Sequence, residues 1–216
     1  LGPERLLQIR DGLDARLFQR PDKELFSDPA VRLLMIGDYS RTAGQLELAE
    51  ACTVLGEKGV PFKLCYVGAG DKSVKQEIQN VFHRAGLDDH VSYLRYQDNV
   101  DAYMKDADIL LRDADAEVFD RATAEAMLRG KLIIAADCEG AREMLADGEL
   151  GLLYSLNDVQ ALAGQIRQTV EEPDKSRSMA ARGSAYMHEN ATAEVFAEKM
   201  YALYRQLLAD DRDLPQ

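Results

Sequence analysis

The chain has few of the residues that most often bind metals or supply a nucleophile. Its 216 residues include three cysteines and three histidines. The cysteines (Cys52, Cys65 and Cys138) are odd in number and lack the spacing of a zinc site. We interpret them as buried free thiols of a protein from a reducing compartment. The histidines are scattered among polar neighbours, so the sequence predicts neither a metal site nor a catalytic triad.

Long apolar runs and an excess of positive charge are also missing. The longest apolar stretches, such as LIIAA, are too short to span a membrane, and we expect no secretion leader. The 26 basic residues are outnumbered by 38 acidic ones, which gives a net charge of −12. Such a surface repels nucleic acid and anionic lipid head groups, so we predict no nucleic-acid partner. A phosphorylated ligand remains compatible with it, because one helix N-terminus and one arginine can form a local anion site.

Short apolar runs alternate with amphipathic stretches along most of the chain. The runs at 31–36, 62–67, 91–94, 109–111, 132–135 and 150–154 predict buried parallel strands. Helices are predicted over 43–58, 72–85, 98–105, 140–146, 158–171, 174–187 and 192–208, and another carries Glu125. This alternation indicates an α/β protein with a Rossmann-like, doubly wound parallel sheet and helices on both faces.

The segments that flank the predicted sheet have a different character. Residues 1–30 have weak periodicity, so we predict a linker there, followed by a ligand-binding domain over 31–190. Residues 191–216 contain a helix with an apolar stripe, which needs a surface to cover.

Two glutamates near the predicted strand ends are the main candidates for ligand contacts. Doubly wound sheets bind ligands beyond the carboxyl ends of their strands, where Gly37, the segment 68–70 and the loop 113–120 lie. Glu117 on that loop and Glu125 on the next helix can hold two ends of an elongated polar ligand, with a phosphate at the helix N-terminus between them. This arrangement suits a sugar nucleotide. The alternative is that both are ordinary solvated glutamates.

The motifs around these glutamates resemble a known family. Glu117 is followed, after seven residues, by Glu125-Ala126-Met127, and a familiar variant of the pattern also contains Phe119, Arg121 and Thr123. Downstream, Gly140, Glu143, Asp147-Gly148 and GLLY (151–154) continue the pattern, and upstream IRDGLDARLF (9–18) is similar to an interdomain peptide. Together these segments resemble the C-terminal, donor-binding domain of the retaining GT-B glycosyltransferases of group 1, also called family 4.

The resemblance implies one half of a glycosyltransferase of polysaccharide biosynthesis. Such an enzyme would move a hexose from a UDP- or GDP-sugar to a glycan or lipid-linked acceptor. It implies that Glu117 is catalytic, that Glu125 holds the ribose, and that the amides around 121–124 take the diphosphate. The full set of implied donor-binding residues is Glu125, Arg121, Thr123, Ala122, Phe119, Gly37, Arg41 and Tyr96. Neither a metal nor another cofactor is expected.

The resemblance also implies a partner and a location. The partner would be the chain's own N-terminal, acceptor-binding domain, which is absent here and without which we expect no transferase activity. The apolar helix of 191–216 would cross onto that domain, or else cover part of its own sheet. The expected location is cytoplasmic, and peripheral attachment to the inner membrane through the missing domain stays open.

Several positions depart from the family pattern, including Glu139, which replaces the first glycine of a pair. Asp38 and Ala43 stand where family members usually carry an Arg and a Lys that contact the donor diphosphate. Losing two charge-assisted contacts of about 1.5–3 kcal/mol each would weaken donor binding by roughly two to four decades. Val118 and Asp120 replace the glycines that flank Phe119.

These departures leave two functions open. Arg41 and Arg121 are candidates to replace the missing cations, although each could be a solvated surface arginine. The alternative to a working transferase is therefore a catalytically degenerate GT-B-like binding or scaffold module that partners another glycosyltransferase.

Overall fold

A parallel sheet with helices on both faces forms the centre of the molecule, as the sequence predicts. The computed structural model describes residues 7, 9–20, 23–97, 99–112 and 119–210. Within these ranges, the strands are β1 (Val31–Ile36), β2 (Phe62–Val67), β3 (Val91–Leu94), β4 (Ile109–Arg112), β5 (Leu132–Ala136) and β6 (Leu152–Tyr154). The helices are α1 (Gln45–Glu57), α2 (Lys72–Ala85), α3 (Asp101–Asp106), α4 (Arg121–Leu128), α5 (Glu139–Met144), α6 (Val159–Glu171), α7 (Pro173–Asn190) and α8 (Ala193–Asp210).

The strand order decides where the sheet can bind a ligand. The order is β3-β2-β1-β4-β5-β6, and every neighbouring pair is parallel. The chain moves outward in one direction from β1 to β3 and in the other from β4 to β6. The crevice of a doubly wound sheet lies at this reversal, beyond the carboxyl ends of β1 and β4.

Two apolar clusters, one on each face of the sheet, hold the helices in place. On one face, Phe62 and Leu64 pack with Leu48, Leu55, Phe82 and Leu162 from the covering helices α1, α2 and α6. On the other face, Leu110 and Ile133 pack with Met104, Met127, Met144 and Met187 from α3, α4, α5 and α7. Complete burial of one such side chain contributes about 1.5–3 kcal/mol, so the two faces together fix the positions of the helix ends.

Several predicted boundaries shift for local reasons. Helix α3 begins at Asp101, and the Asp101 amide is bonded to the Asn99 side chain at 2.9 Å. Strand β6 begins two residues later than predicted, because the Leu150 amide bonds to the Leu145 carbonyl at 3.0 Å and belongs to a turn. Helix α1 begins after Gly44, whose φ of 88° cannot continue a right-handed helix.

Part of the predicted linker is docked on the sheet domain. The Leu13 amide donates to the Ala191 carbonyl at 2.9 Å, and the Ala193 amide donates to the Leu13 carbonyl at 2.8 Å. A Cβ atom on Gly12 would lie 2.6 Å from Cβ of Phe196, so only glycine allows this close approach. Segment 9–13 is thereby held against the junction of α7 and α8.

Helix α8 leaves much of its apolar stripe uncovered. Tyr201, Tyr204, Leu207 and Leu208 are 65%, 54%, 54% and 63% exposed. Phe196, nearer the start of the helix, is half-buried. The helix therefore packs on its own domain mainly through its first turns. Within the described ranges, no helix has the length and apolar character needed to cross a bilayer.

Buried charges at the amino end of the sheet serve the fold. The Asp108 carboxylate, which is 2% exposed, accepts hydrogen bonds from the amides of Phe26 and Arg32, both at 2.9 Å. Lys131 donates to two main-chain carbonyls at 2.8 and 2.7 Å, and burial lowers its pKa to about 8. These groups lie at the opposite end of the strands from the expected crevice.

The prediction for the cysteines needs a correction. Cys52 is fully buried, and burial raises the pKa of its thiol. Cys65 and Cys138 are free thiols but only half-buried, because they lie at the margin of the second cluster rather than inside it.

Candidate functional site

The N-terminus of α4 lies at the crevice and is already capped by the protein itself. The Asp120 carboxylate accepts hydrogen bonds from the amides of Ala122, at 3.1 Å, and Thr123, at 3.0 Å. The Thr123 hydroxyl donates to the same carboxylate. Aspartate is a preferred N-cap because it satisfies amides that have no partner within the helix. The donors predicted to bind a diphosphate are therefore occupied in this structure.

Glu125 lies one turn into the same helix, next to two arginines. Its side chain is 13% exposed, and its Oε1 accepts a hydrogen bond from Nε of Arg121 at 2.8 Å. Arg129 lies 3.9 Å from its other oxygen. Arg129 is held mainly by Asp101, at 2.5 Å, and its guanidinium stacks over the ring of Phe18 at 4.6 Å. Glu125 is thus a shielded carboxylate with one strong partner.

Arg121 is an exposed partner for that carboxylate. It is the first residue of α4, and its side chain is 76% exposed. A cation at a helix N-terminus is unfavourable with respect to the macrodipole, so the Arg121–Glu125 pair compensates an otherwise poor position. A helix pair with an exposed arginine end contributes about 0.3–0.5 kcal/mol, and the arginine can exchange its partner for a ligand at low cost.

The loops after β1 and β2 are joined by main-chain contacts. The Tyr39 amide donates to the Ala69 carbonyl at 2.7 Å, and a Cβ atom on Gly68 would lie only 1.9 Å from the Gly37 oxygen. Asp38 takes part in this junction, because its carboxylate accepts a hydrogen bond from the Ala69 amide at 2.9 Å. Gly37 is therefore at the crevice, and the carboxylate that follows it is bonded to the neighbouring loop.

Ala43 is the other departure near β1, and Arg41 is a candidate to replace the missing cations. Ala43 lies two residues before α1 and is 1% exposed, so its side chain is buried. Arg41 is exposed and pairs with Glu77 of α2 at 3.2 Å. Arg41 thus lies on the β2 side of the crevice, toward α2.

A cavity of about 460 Å³ lies beyond the ends of β1, β2 and β3. Its lining includes Tyr39, Lys75, Arg95 and the exposed Tyr96. Nζ of Lys75 lies 5.6 Å from the ring centre of Tyr39 and 5.5 Å from that of Tyr93. Burial raises the pKa of Tyr39 to about 12, so its phenol is neutral at physiological pH. The cavity combines aromatic surface with three cations (Lys72, Lys75 and Arg95), which suits a planar polar group.

Two further cavities border Phe119, and one of them also borders the start of α4. One, of about 500 Å³, is lined by Asp11, Gly12, Leu13, Phe119, Asp120, Arg121 and Phe196. The other, of about 190 Å³, includes Arg10 and Glu143, whose side chains are 3.4 Å apart. Segment 9–13 and the first turns of α8 are therefore neighbours of the α4 N-terminus. Sequence reasoning recognised the 9–18 motif as a linker but missed its position beside the site.

The predicted site residues occupy two parts of one edge of the sheet. Phe119, Arg121, Ala122, Thr123 and Glu125 are together at α4. Gly37 follows β1, whereas Arg41 and Tyr96 lie toward α2 and β3. Glu117 and Val118 lie outside the described residues. Where the chain is described, no three His, Cys, Asp or Glu side chains are grouped so that they could hold a metal ion.

Comparison with known families identifies the family of this chain. A family described as "Glycosyl transferases group 1" matches residues 18–185. The chain belongs to this family. The match includes all six strands and every predicted donor-binding residue.

One relative and two solved structures illustrate the similarity of this group 1 glycosyltransferase chain to known proteins. N-acetyl-alpha-D-glucosaminyl L-malate synthase of Bacillus anthracis is 27% identical over 156 residues, which cover 71% of this chain and 40% of that protein. A glycosyltransferase from Rickettsia africae has a TM-score of 0.82 at 18% identity, covering 96% of this chain and 59% of the other. Anabaena Alr3699/HepE, solved with UDP and glucose, has a TM-score of 0.81 at 21% identity, covering 94% and 58%.

These structures share the GT-B fold with this chain, and the matched proteins are longer than this chain. The chain spans about half the length of relatives that it matches, including 49% of one from Bacillus subtilis and 50% of one from Mycolicibacterium smegmatis. The shared part is the six-stranded parallel domain described here.

Proposed function

We propose that this chain is the donor-binding half of a retaining glycosyltransferase, which transfers a hexose from a UDP- or GDP-sugar to a glycan or lipid-linked acceptor. The observation that carries the proposal is the position of Glu125. Its shielded carboxylate lies one turn from the α4 N-terminus, at the crevice where the strand order reverses. A ribose diol and a diphosphate are adjacent in a nucleotide sugar, and these two features are adjacent in the protein.

The donor would lie along the carboxyl edge of the sheet. Glu125 would accept hydrogen bonds from the ribose hydroxyls once Arg121 moves from it to the diphosphate. The amides of Ala122 and Thr123 would bind the diphosphate, with Gly37 permitting close approach from the β1 side. The base would enter the cavity of about 460 Å³, against Tyr96 and the aromatic surface of Tyr39. UDP is the first ligand to test, because Alr3699/HepE was solved with UDP.

The chemistry would take place at the other end of the donor. Glu117 would contact the donor sugar and stabilise the positive charge that develops as the bond to the diphosphate breaks. The acceptor hydroxyl would attack the anomeric carbon with retention of configuration as the bond from that carbon to the diphosphate oxygen breaks. The hydroxyl proton would pass to the departing nucleoside diphosphate, which would leave without help from a metal or cofactor. The diphosphate contacts would stabilise the leaving group through preorganised donors.

The acceptor would be bound by an N-terminal domain outside this chain. The uncovered apolar residues of α8 and the coverage of about half of its relatives support such a partner. We expect a cytoplasmic protein, attached to the inner membrane, if at all, through that domain.

A second function has specific support. Asp38 is bonded to the Ala69 amide, Ala43 is buried, and Asp120 occupies two amides of α4. A chain that has lost its diphosphate contacts would be a degenerate binding or scaffold module that partners another glycosyltransferase.

Calorimetric titration of this chain with UDP, GDP and their hexose derivatives distinguishes the two functions. We expect a nucleoside diphosphate to bind with a Kd in the micromolar to millimolar range, equally well with EDTA or Mg²⁺ present. The absence of binding to any of these ligands at millimolar concentration would exclude the donor-binding function and favour the scaffold module.

A further inference from the structure

We propose that Asp120 is a built-in competitor of the donor diphosphate, and that it lowers affinity for nucleoside diphosphates without affecting the nucleoside. The inference rests on the proposed function and names a residue that limits the affinity of the same site for its ligand. Asp120 replaces a glycine of the family pattern. Its role follows from its contacts in the structure.

Asp120 uses both of its carboxylate oxygens at the α4 N-terminus. Oδ1 accepts from the Ala122 amide at 3.1 Å, and Oδ2 accepts from the Thr123 amide at 3.0 Å and from the Thr123 hydroxyl. These three donors are the ones that the diphosphate would need. A carboxylate and a phosphate are both anions that prefer the positive end of a helix. They therefore compete for the same groups.

The competition has an electrostatic component as well as a geometric one. A diphosphate that bound beside the capped helix would face the Asp120 charge at short range. If a diphosphate displaced Asp120 from the helix N-terminus, the Asp120 carboxylate would become solvated but would stay close to the ligand. In either case the negative charge opposes the ligand, and the buried side of the helix limits screening by salt.

The cation at this site is also engaged. Arg121 bonds to Glu125 at 2.8 Å and lies on the same helix turn as the capped amides. Donor binding would exchange two internal contacts together, Asp120 with its amides and Arg121 with Glu125. Asp120, Arg121 and Glu125 are thus each paired with groups of the protein itself. A nucleoside lacks the diphosphate and requires neither the release of Asp120 nor the recruitment of Arg121.

The test compares Asp120→Asn and Asp120→Gly with the wild-type chain. Asparagine still caps a helix but has no charge, and glycine leaves the amides open at small cost to the helix. A matched control is Asp158→Asn, because Asp158 caps α6 through the Ala161 amide at 2.8 Å and removal of its charge changes net charge equally. Each protein is titrated calorimetrically with UDP, uridine and inorganic pyrophosphate, and folding is checked by thermal melting.

We expect UDP and pyrophosphate to bind about tenfold more tightly to Asp120→Gly, a change that corresponds to about 1.4 kcal/mol. Asp120→Asn should show a smaller gain in the same direction. The uridine affinity of both variants, and all affinities of Asp158→Asn, should stay within about twofold of wild type.

Other outcomes overturn the inference in distinguishable ways. If wild type binds UDP and neither Asp120 variant binds it more tightly, the competitor role is wrong and the donor site stands. An equal gain in Asp158→Asn would assign the effect to net charge and reject a local role. If none of the proteins binds UDP, uridine or pyrophosphate, the proposed function fails and the inference fails with it.

Discussion

Glu125 is available to bind a ligand because the stability of the fold depends little on it. Its pair with Arg121 is exposed at the arginine end, and pairs four residues apart on one helix stabilise a protein by only about 0.3–0.5 kcal/mol. The nearby buried Arg129 is already held by Asp101 through two bonds, at 3.1 and 2.5 Å. A carboxylate with a single exchangeable partner can switch to ligand hydroxyls without disturbing the core.

Substituting Glu125 should therefore affect ligand binding more than stability. We expect Glu125→Gln to weaken both UDP and uridine by about 10- to 100-fold, because a hydrogen bond to a charged group contributes about 1.5–3 kcal/mol and both ligands contain the ribose. The melting temperature should change by less than about 3 °C. Calorimetric titration and thermal melting are the measurements.

Glu171→Gln is the matched control for this variant. Glu171 also pairs with an arginine four residues before it on a helix, at 3.8 Å, and it lies outside the crevice. Its substitution should leave both affinities unchanged. A large loss of stability in Glu125→Gln would instead show that Glu125 holds Arg129 in place and has a structural role.

The sequence shows where charges differ from the family pattern, but it does not show where the side chains lie. The sequence shows that Asp38 and Ala43 replace two family cations. It does not show that Asp38 is bonded to the neighbouring loop or that Ala43 is buried, because both depend on how the β1 and β2 loops pack. The catalytic role of Glu117 stays a prediction.

At the scale of elements, main-chain hydrogen bonds join the loops that follow β1 and β2 to their neighbouring strands at the crevice. The Gly37 amide donates to the Val67 carbonyl at 3.0 Å, and the Gly68 amide donates to the Leu94 carbonyl at 3.1 Å. The pairing of β1, β2 and β3 thus continues past the regular strands. Gly68 allows this because a side chain there would overlap the Gly37 carbonyl.

Gly68→Ala should separate the loops and destabilise the protein. Overpacking at a site without space costs about 1–3 kcal/mol, and the Gly37 oxygen, 1.9 Å from the added atom, belongs to the main chain and cannot rotate away. The free energy of unfolding, measured by urea denaturation, should fall by about 2 kcal/mol or more.

Gly164→Ala should have the opposite effect on the free energy of unfolding. Gly164 lies inside α6, and a Cβ atom there would meet nothing within 4 Å. Alanine should raise the free energy of unfolding by about 0.5–1 kcal/mol because it favours helix. Equal effects of the two substitutions would contradict the close packing of the strand-end loops.

The elements themselves were predictable because their patterns are strong. Strand β5 is an unbroken apolar run, β1 is interrupted only by Arg32, and helices such as α2 have a clear apolar stripe. Boundaries were less predictable, since those of α3 and β6 depend on single turn hydrogen bonds. Periodicity does not report such bonds.

At the scale of the whole molecule, α8 is the element least integrated into the domain. Four large apolar residues near its end are more than half exposed, while its start is bonded to segment 9–13. This first part connects α8 to the neighbourhood of Phe119 and Arg121. The second part presents an apolar face to solvent.

The exposed face should contribute nothing to the stability of this chain. We expect Leu207→Gln with Leu208→Gln to change the free energy of unfolding by less than about 0.5 kcal/mol, as surface substitutions do. Leu162→Ala, at a fully buried position of α6, should cost about 2–5 kcal/mol. Urea denaturation of the three proteins makes the comparison.

A loss of more than about 2 kcal/mol in the doubly substituted protein would contradict this view. It would mean that the end of α8 covers its own domain in solution. Retained stability would agree with a face that is covered by another domain.

The sequence by itself determined the family, the α/β class and the edge of the sheet that carries the candidate site. These follow from local patterns: apolar runs, helical stripes and the spacing of Glu117, Glu125 and the downstream glycines. Only the tertiary structure decided that Asp120 occupies the amides of α4, that Arg121 covers Glu125, and that segment 9–13 borders both. Each of these depends on which of several nearby partners a polar group selects, and packing decides that selection.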